Sequence, residues 1–316
     1  MRRVAMAVVL MAMALAGCQS GPAAAPSPPA VWDGRDASLA TLEQLDDHPL
    51  WTMRYAGGYD RLKDVTTAPP ATPFGCSLFA TNDAANPLFA RNFDWAANPA
   101  MLLFTEPPDG YASVSMVDLS YLGVTDPAAD PARLADAPLL PFDGLNAKGL
   151  AIGLAAVPDA QAASTPSRPT VGGVRIIRLV LDQAATVEEA VAVFEDHNID
   201  FSGGPPLHYL IADATGKSVV VEFVAGTVSA LPAQTAVNFT MAGSDEATRQ
   251  SDSRYATANG GLRGARDWRG AMDLLGEVVQ GHTQWSVVYG LESGEVHLAT
   301  DKKFDRVHEF SLPMTG

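Results

Sequence analysis

The chain has 316 residues, 47% of them hydrophobic, and a formal charge of −15. That apolar content can fill the core of one large domain or two small ones. The acidity, with no Lys/Arg-rich run anywhere, excludes nucleic acid as a partner and excludes binding to acidic surfaces by charge alone.

The chain opens with "MRRVAMAVVLMAMALAGCQS". Two arginines, an apolar run from Val4 to Leu15 and then small residues make a secretory signal, too short to span a bilayer. The ending "LAGC" resembles a bacterial lipobox. The resemblance implies a signal peptide over residues 1–17, cleavage before Cys18 and a diacylglycerol on the Cys18 thiol. The alternative is ordinary signal cleavage, with Cys18 lost or left free. Lipid on Cys18 makes the protein an exported, membrane-anchored component of the cell envelope, two charge units more negative without Arg2 and Arg3. Residues 18–35 are Pro/Ala-rich and read as a tether. Residues 36–75 then show a short helical pattern followed by aromatic residues.

The second of two cysteines is Cys76. With Cys18 lipidated it has no disulfide partner, so it is either a small buried hydrophobe or a nucleophile. Its surroundings bear on the choice. "CSLFATN" and "LFARNFDW" are strand-like, and "NDAANP" between them is turn chemistry. A turn centred near Ala84 and Ala85 puts Cys76 opposite Phe93 or Asp94. Arg91 lies nearby, but Arg91 and Asp94 differ by an odd number and point to opposite faces of a regular strand. Both reach Cys76 only if that strand bulges or ends near Asn92. A thiol needs a base near neutral pH. Cutting the chain after Gly75, the least hindered residue to precede such a bond, would free the α-amine of Cys76 a few ångströms from its own sulfur. Residues 36–75 would then be a pro-segment and residues 76–316 the catalytic domain.

Further along, Met101 to Val124 reads as a buried strand pair with its loop, or as the wall of an acyl pocket. Asp143-Gly144 is a turn signal. "VRIIRLVLDQ" has helical spacing, and Thr186 with Glu189 forms a capping box for a helix through about Asp196. "TGKS" (residues 215–218) is a hairpin turn and not a phosphate loop, since Ile211 stands where the upstream glycine is required. Asp267 caps a last helix that stops near Gly281. Six histidines have no ligand spacing, so neither metal nor cofactor is expected. No Gly-x-Ser-x-Gly elbow exists.

Taken together, "GCS…RNFDW", "FDGLNAKGLAIGLAAVP" (142–158), "LHYLIADATGKSVVVEF" (207–223), "VNFTMAG…DSRY" (237–255) and "TQWSVVYGLESGEVHLAT" (283–300) resemble the choloylglycine hydrolase family of linear amide C–N hydrolases. These are N-terminal-nucleophile (Ntn) amidases that include bile salt hydrolases, penicillin V acylases and acid ceramidase-like amidases. The resemblance spans roughly Trp51 to Leu312. It implies an α+β fold, the four-layer αββα sandwich of two antiparallel sheets flanked by helices. It implies a self-processing amidase that cleaves a small-molecule N-acyl amide through an acyl-thioester. It casts Cys76 as nucleophile, Asp94 as holder of the α-amine, Arg91 as its assistant, Asn238 as oxyanion donor and Arg254 as a second nearby cation. One departure is that Ala155 and Ala156 follow Gly153-Leu154 where many bile salt hydrolases carry a polar residue, which counts against bile salts as substrate. An acyltransferase of the same fold and a non-maturing surface lipoprotein are the alternatives. A thiol peptidase with a histidine base ranks last, because no histidine sits in a partner motif.

Overall fold

The structure is a computed structural model and describes residues 32–65 and 75–315. The expected signal peptide, the lipidation at Cys18 and most of the tether lie outside the described residues. In chain order the strands are β1 (Glu43–Gln44), β2 (Leu50–Tyr55), β3 (Gly75–Ala80), β4 (Leu88–Asp94), β5 (Ala100–Thr105), β6 (Ser113–Asp118), β7 (Pro141–Asn146), β8 (Ala151–Ala156), β9 (Thr170–Gly172), β10 (Asn198–Asp200), β11 (Leu207–Ala212), β12 (Ser218–Val224), β13 (Thr227–Pro232), β14 (Thr235–Ala236), β15 (Thr283–Gly290), β16 (Glu295–Thr300) and β17 (His308–Ser311). The helices are α1 (Arg35–Leu39), α2 (Ile176–Gln183), α3 (Val187–Glu195), α4 (Glu246–Gln250), α5 (Ser253–Gly261) and α6 (Trp268–Glu277).

Two large sheets carry the fold. A nine-stranded sheet runs β1-β2-β5-β6-β7-β8-β11-β12-β13, and a six-stranded sheet runs β14-β3-β4-β15-β16-β17. Pairing within them is antiparallel except where β2 lies parallel to β5. The sheets face each other through β3 against β8 and β11. Helices α2 and α3 cover the larger sheet, and α5 and α6 cover the smaller one. This is a four-layer αββα sandwich in which the inner strands are buried on both faces.

The hairpin β3–β4 shows how the layers sort side chains. Cys76, Leu78, Phe89 and Phe93 belong to the core between the sheets, whereas Phe79, Leu88 and Ala90 pack with α6 residues Met272 and Leu275. The register pairs Cys76 with Phe93 and Gly75 with Asp94. Strand β4 runs unbroken to Asp94, so the bulge expected near Asn92 is absent from it. The irregularity falls in the neighbour β15, between Thr283 and Trp285.

Other elements follow their local chemistry. Thr186 caps α3 by accepting from Glu189 N–H, while the Glu189 carboxylate reaches back to Ala185 N–H. Asp267 caps α6, which ends at Glu277, earlier than the expected stop at Gly281. The "TGKS" segment is the turn between β11 and β12, with Gly216 at φ +80°. Asp143-Gly144 is not a turn. It lies inside β7, and the chain reverses at Ala147–Gly149, where Asn146 Oδ1 accepts from the N–H groups of Lys148 and Leu150.

The residues before Cys76 are part of the sandwich. Leu50, Met53 and Tyr55 of β2 are buried. Trp32, expected in the tether, stacks on Tyr55 at 4.9 Å and donates its indole N–H to Ala56 O. Among the described residues no helix is long and apolar enough to cross a membrane.

Candidate active site

Cys76 is the second residue of β3, fully buried between the sheets. Its thiol accepts from Arg91 Nη2 at 3.1 Å. Arg91 sits diagonally across the hairpin, on the strand position opposite Leu78, so pleating brings it to the same face as Cys76. The guanidinium is itself fully buried. Its Nη1 donates to Asp143 Oδ2 at 3.2 Å and to Phe142 O at 2.9 Å, and the rings of Phe93 and Trp285 lie 5.0 and 6.0 Å from it. Asp143 also accepts from Tyr289 OH at 2.6 Å and from Trp285 Nε1 at 3.2 Å.

Asp94 occupies the other face at the strand's end. Its Oδ1 accepts from Thr283 Oγ1 at 2.5 Å, and its Oδ2 is buried without a partner among the described residues. A Cβ on Gly75 would come within 3.0 Å of both Asp94 Cβ and Oδ2, so glycine lets the backbone lie directly on this carboxylate. The parity problem posed by the sequence dissolves here. Arg91 addresses the sulfur, which projects to one face, and Asp94 addresses the backbone between residues 75 and 76, which is reachable from the other.

Asn238 and Arg254 complete the group. Asn238 Oδ1 accepts from Cys76 N–H at 2.8 Å and from Arg254 Nη1 at 3.0 Å. Its Nδ2 donates to Ala156 O at 2.9 Å. Two donors on one side and a carbonyl on the other fix the orientation of this amide. The sequence expectation gave Asn238 to the oxyanion through its N–H₂ end. In this geometry one of those hydrogens is engaged by Ala156, and the oxygen end holds the Cys76 nitrogen. Arg254, in the first turn of α5, donates to Cys76 O at 2.8 Å. The four other expected residues therefore all meet Cys76 or the Gly75 backbone beside it.

The electrostatics follow from burial. Burial pushes the Cys76 thiol up to about 11, with Arg91 opposing and Asp94 adding to the shift. Burial also raises the Asp94 carboxyl, against the Thr283 hydrogen bond and the charge of Arg254. It raises the Asp143 carboxyl too, against Arg91. Thr283 was not singled out from the sequence and Asp143 was read only as half of a turn, although both stand inside quoted motifs, "TQWSVV" and "FDGLN". Among the described residues no group of three or more His, Cys, Asp or Glu could hold a metal.

A cavity of about 590 Å³ opens beside this cluster. Tyr121, Phe142 and Leu154 form part of its wall; Phe142, whose carbonyl accepts from Arg91, lies edge-on to Phe93 at 5.2 Å and to Tyr121 at 4.8 Å. Its size suits a small organic ligand. Tyr121 gives the segment 101–124 a place in the cavity wall, while Met101 and Leu102 are core.

A family model described as linear amide C–N hydrolases, choloylglycine hydrolase family, matches residues 76–237, just over half of the chain. Among solved structures the chain is similar to a variant of the conjugated bile acid hydrolase from Clostridium perfringens. That match has 18% identity and a TM-score of 0.57, over 75% of this chain and 92% of that one. It is also similar to penicillin V acylase from Agrobacterium tumefaciens, at 17% identity and a TM-score of 0.51, over 72% of this chain and 82% of that one.

Proposed function

The chain belongs to the choloylglycine hydrolase family of linear amide C–N hydrolases, with the Ntn-hydrolase sandwich, and from that premise we propose that it matures by cutting its own Gly75–Cys76 bond. The Cys76 thiol attacks the carbonyl carbon of Gly75. The C–N bond breaks, leaving a thioester on Sγ and a free α-amine on Cys76. Water hydrolyses the thioester to a Gly75 carboxylate and a thiol. The observation that carries this reading is Asp94 Oδ2, buried and unpartnered against Gly75. An acceptor buried without a donor is costly, and the new ammonium group supplies one. Asn238 Oδ1 already accepts from the same nitrogen. The family match also begins at Cys76.

In the mature chain the amine takes the thiol proton and Sγ attacks the substrate's amide carbonyl. The proton passes to the leaving amine, and water releases the acyl group from the thioester. Arg91 stabilises the thiolate at the contact it makes in the uncut chain. The second Nδ2 hydrogen of Asn238 serves the oxyanion, a role that is worth about 10²-fold or more when a donor is removed. Lipid on Cys18 would hold the enzyme at the envelope membrane.

The test is to incubate the mature protein with an N-acyl p-nitroanilide, quench in acid and weigh the N-terminal peptide. One acyl mass on the peptide beginning at Cys76, with turnover lost in Cys76→Ala, is expected. Turnover that survives Cys76→Ala contradicts the assignment.

A further inference from the structure

The far side of the cavity holds a charge that the proposed chemistry does not use. Arg175, at the N-terminus of α2, lines the cavity and is only 6% exposed. Its Nη1 donates to the carbonyls of Leu62 and Lys63. Its Nε is buried with no hydrogen-bond partner among the described residues. The nearest carboxylate, Asp64, is 3.8 Å away with a fully exposed side chain, so it screens the guanidinium poorly. The other acid of the lining, Asp200, is exposed and already accepts from Ser202 N–H and Oγ. A guanidinium cannot shed its charge, and a buried cation with an unpartnered donor is unfavourable unless an anion joins it. On one side the cavity wall is apolar, with Tyr121, Phe142 and Leu154, and Phe142 packs edge-on against Phe93, the cross-strand partner of Cys76.

Resting on the amidase reading above, we infer that the substrate's acyl group spans this apolar stretch and ends in a carboxylate seated on Arg175. The enzyme then prefers ω-carboxyacyl amides over plain acyl amides of equal length. Guanidinium and carboxylate match in a planar, two-bond geometry, which a neutral chain end cannot use. Leu62 and Val65, which precede Cys76 in the chain, form part of the same cavity, so they would contact the acyl group as well.

The test compares adipoyl and hexanoyl p-nitroanilides, which differ only at the chain end. Wild-type kcat/KM is expected to favour the adipoyl compound by about ten- to hundred-fold, the worth of a charge-assisted hydrogen bond. Arg175→Gln should remove that preference through KM, raising it far more for the adipoyl than for the hexanoyl compound, and Arg175→Lys should restore part of the preference. Equal rates in the wild type, or a loss in Arg175→Gln that is the same for both compounds, overturn the inference while the amidase reading stands. The same pair is titrated calorimetrically into the Cys76→Ala chain, which reads binding without turnover. Tighter binding of the adipoyl compound, lost in Arg175→Gln, upholds the inference even if neither compound is hydrolysed. Equal affinities, or no binding of either, overturn it.

Discussion

Asp94 carries two loads in the uncut chain, a short hydrogen bond from Thr283 and close contact with Gly75. Asp94→Asn keeps the shape and removes the charge. Self-cleavage and amide turnover are expected to fall by about 10²-fold or more, as when a positioned acid–base partner is lost. Time-resolved gels and initial rates measure both, and unchanged rates would rule out the assigned role. The thiol gives a second residue-level expectation. With Cys76 pushed up to about 11, its thiolate fraction at pH 8 is about 10²-fold below that of an ordinary cysteine. Iodoacetamide should label the uncut chain at least that slowly and the cut chain much faster at the same pH. Asp143 is a third case. Asp143→Asn leaves Arg91 charged and buried without its counter-ion, at a cost of about 3 kcal/mol or more in urea unfolding.

The β3–β4 hairpin was legible in the sequence to within one place of its register, because turn chemistry narrows which residues face each other, and the structure selects Cys76 opposite Phe93. What spacing could not supply was the difference between a side chain and a backbone atom as target. Arg91 and Asp94 look incompatible only if both must reach the sulfur. Asp143 was misread because Asp-Gly is a turn signal in isolation. In the fold its carboxylate is the counter-ion of an arginine brought from another sheet, and no local pattern encodes that pairing. Helix caps at Thr186 and Asp267 were legible for the opposite reason, since their partners lie within one turn. A buried pair on β11 and β12 supports the loop that carries Asn238. His208 bridges Glu222 Oε1 at 2.9 Å and Val237 O at 2.7 Å, and Glu222 accepts from the N–H groups of Met241 and Ala242 at 2.7 Å each. Burial alone would raise the Glu222 carboxyl, but His208 and the two N–H groups together hold it below the ordinary 4.5. A depressed carboxyl stabilises the fold above its ordinary value, and that contribution is lost as pH falls through the folded value. The stability gap between wild type and Glu222→Gln should therefore be full at pH 6 and shrink below about 4.5. Urea titrations across that range measure it, and a gap independent of pH would contradict it.

At the scale of the whole molecule, the segment before Cys76 is built into the fold. Strand β2 pairs along its length with β5, and Arg61 is held by Asp182 at 2.6 Å and by Asp109 at 2.6 Å. Cutting at Gly75 breaks one covalent bond and none of these contacts. The two fragments are expected to co-elute on gel filtration and to separate only in denaturant, so a lipid on Cys18 would retain the catalytic part as well. Release of a free fragment beginning at Cys76 would show that the sheet is remodelled on cleavage.

The measurement that tests the central claim most directly is the intact mass of the purified chain from Gln19, beside its Cys76→Ala variant. The account predicts two fragments in the wild type, the larger beginning at Cys76, and a single uncut chain in the variant. A wild type that stays whole under conditions where it hydrolyses an N-acyl amide would contradict it, because the nucleophile would then be working without a free α-amine.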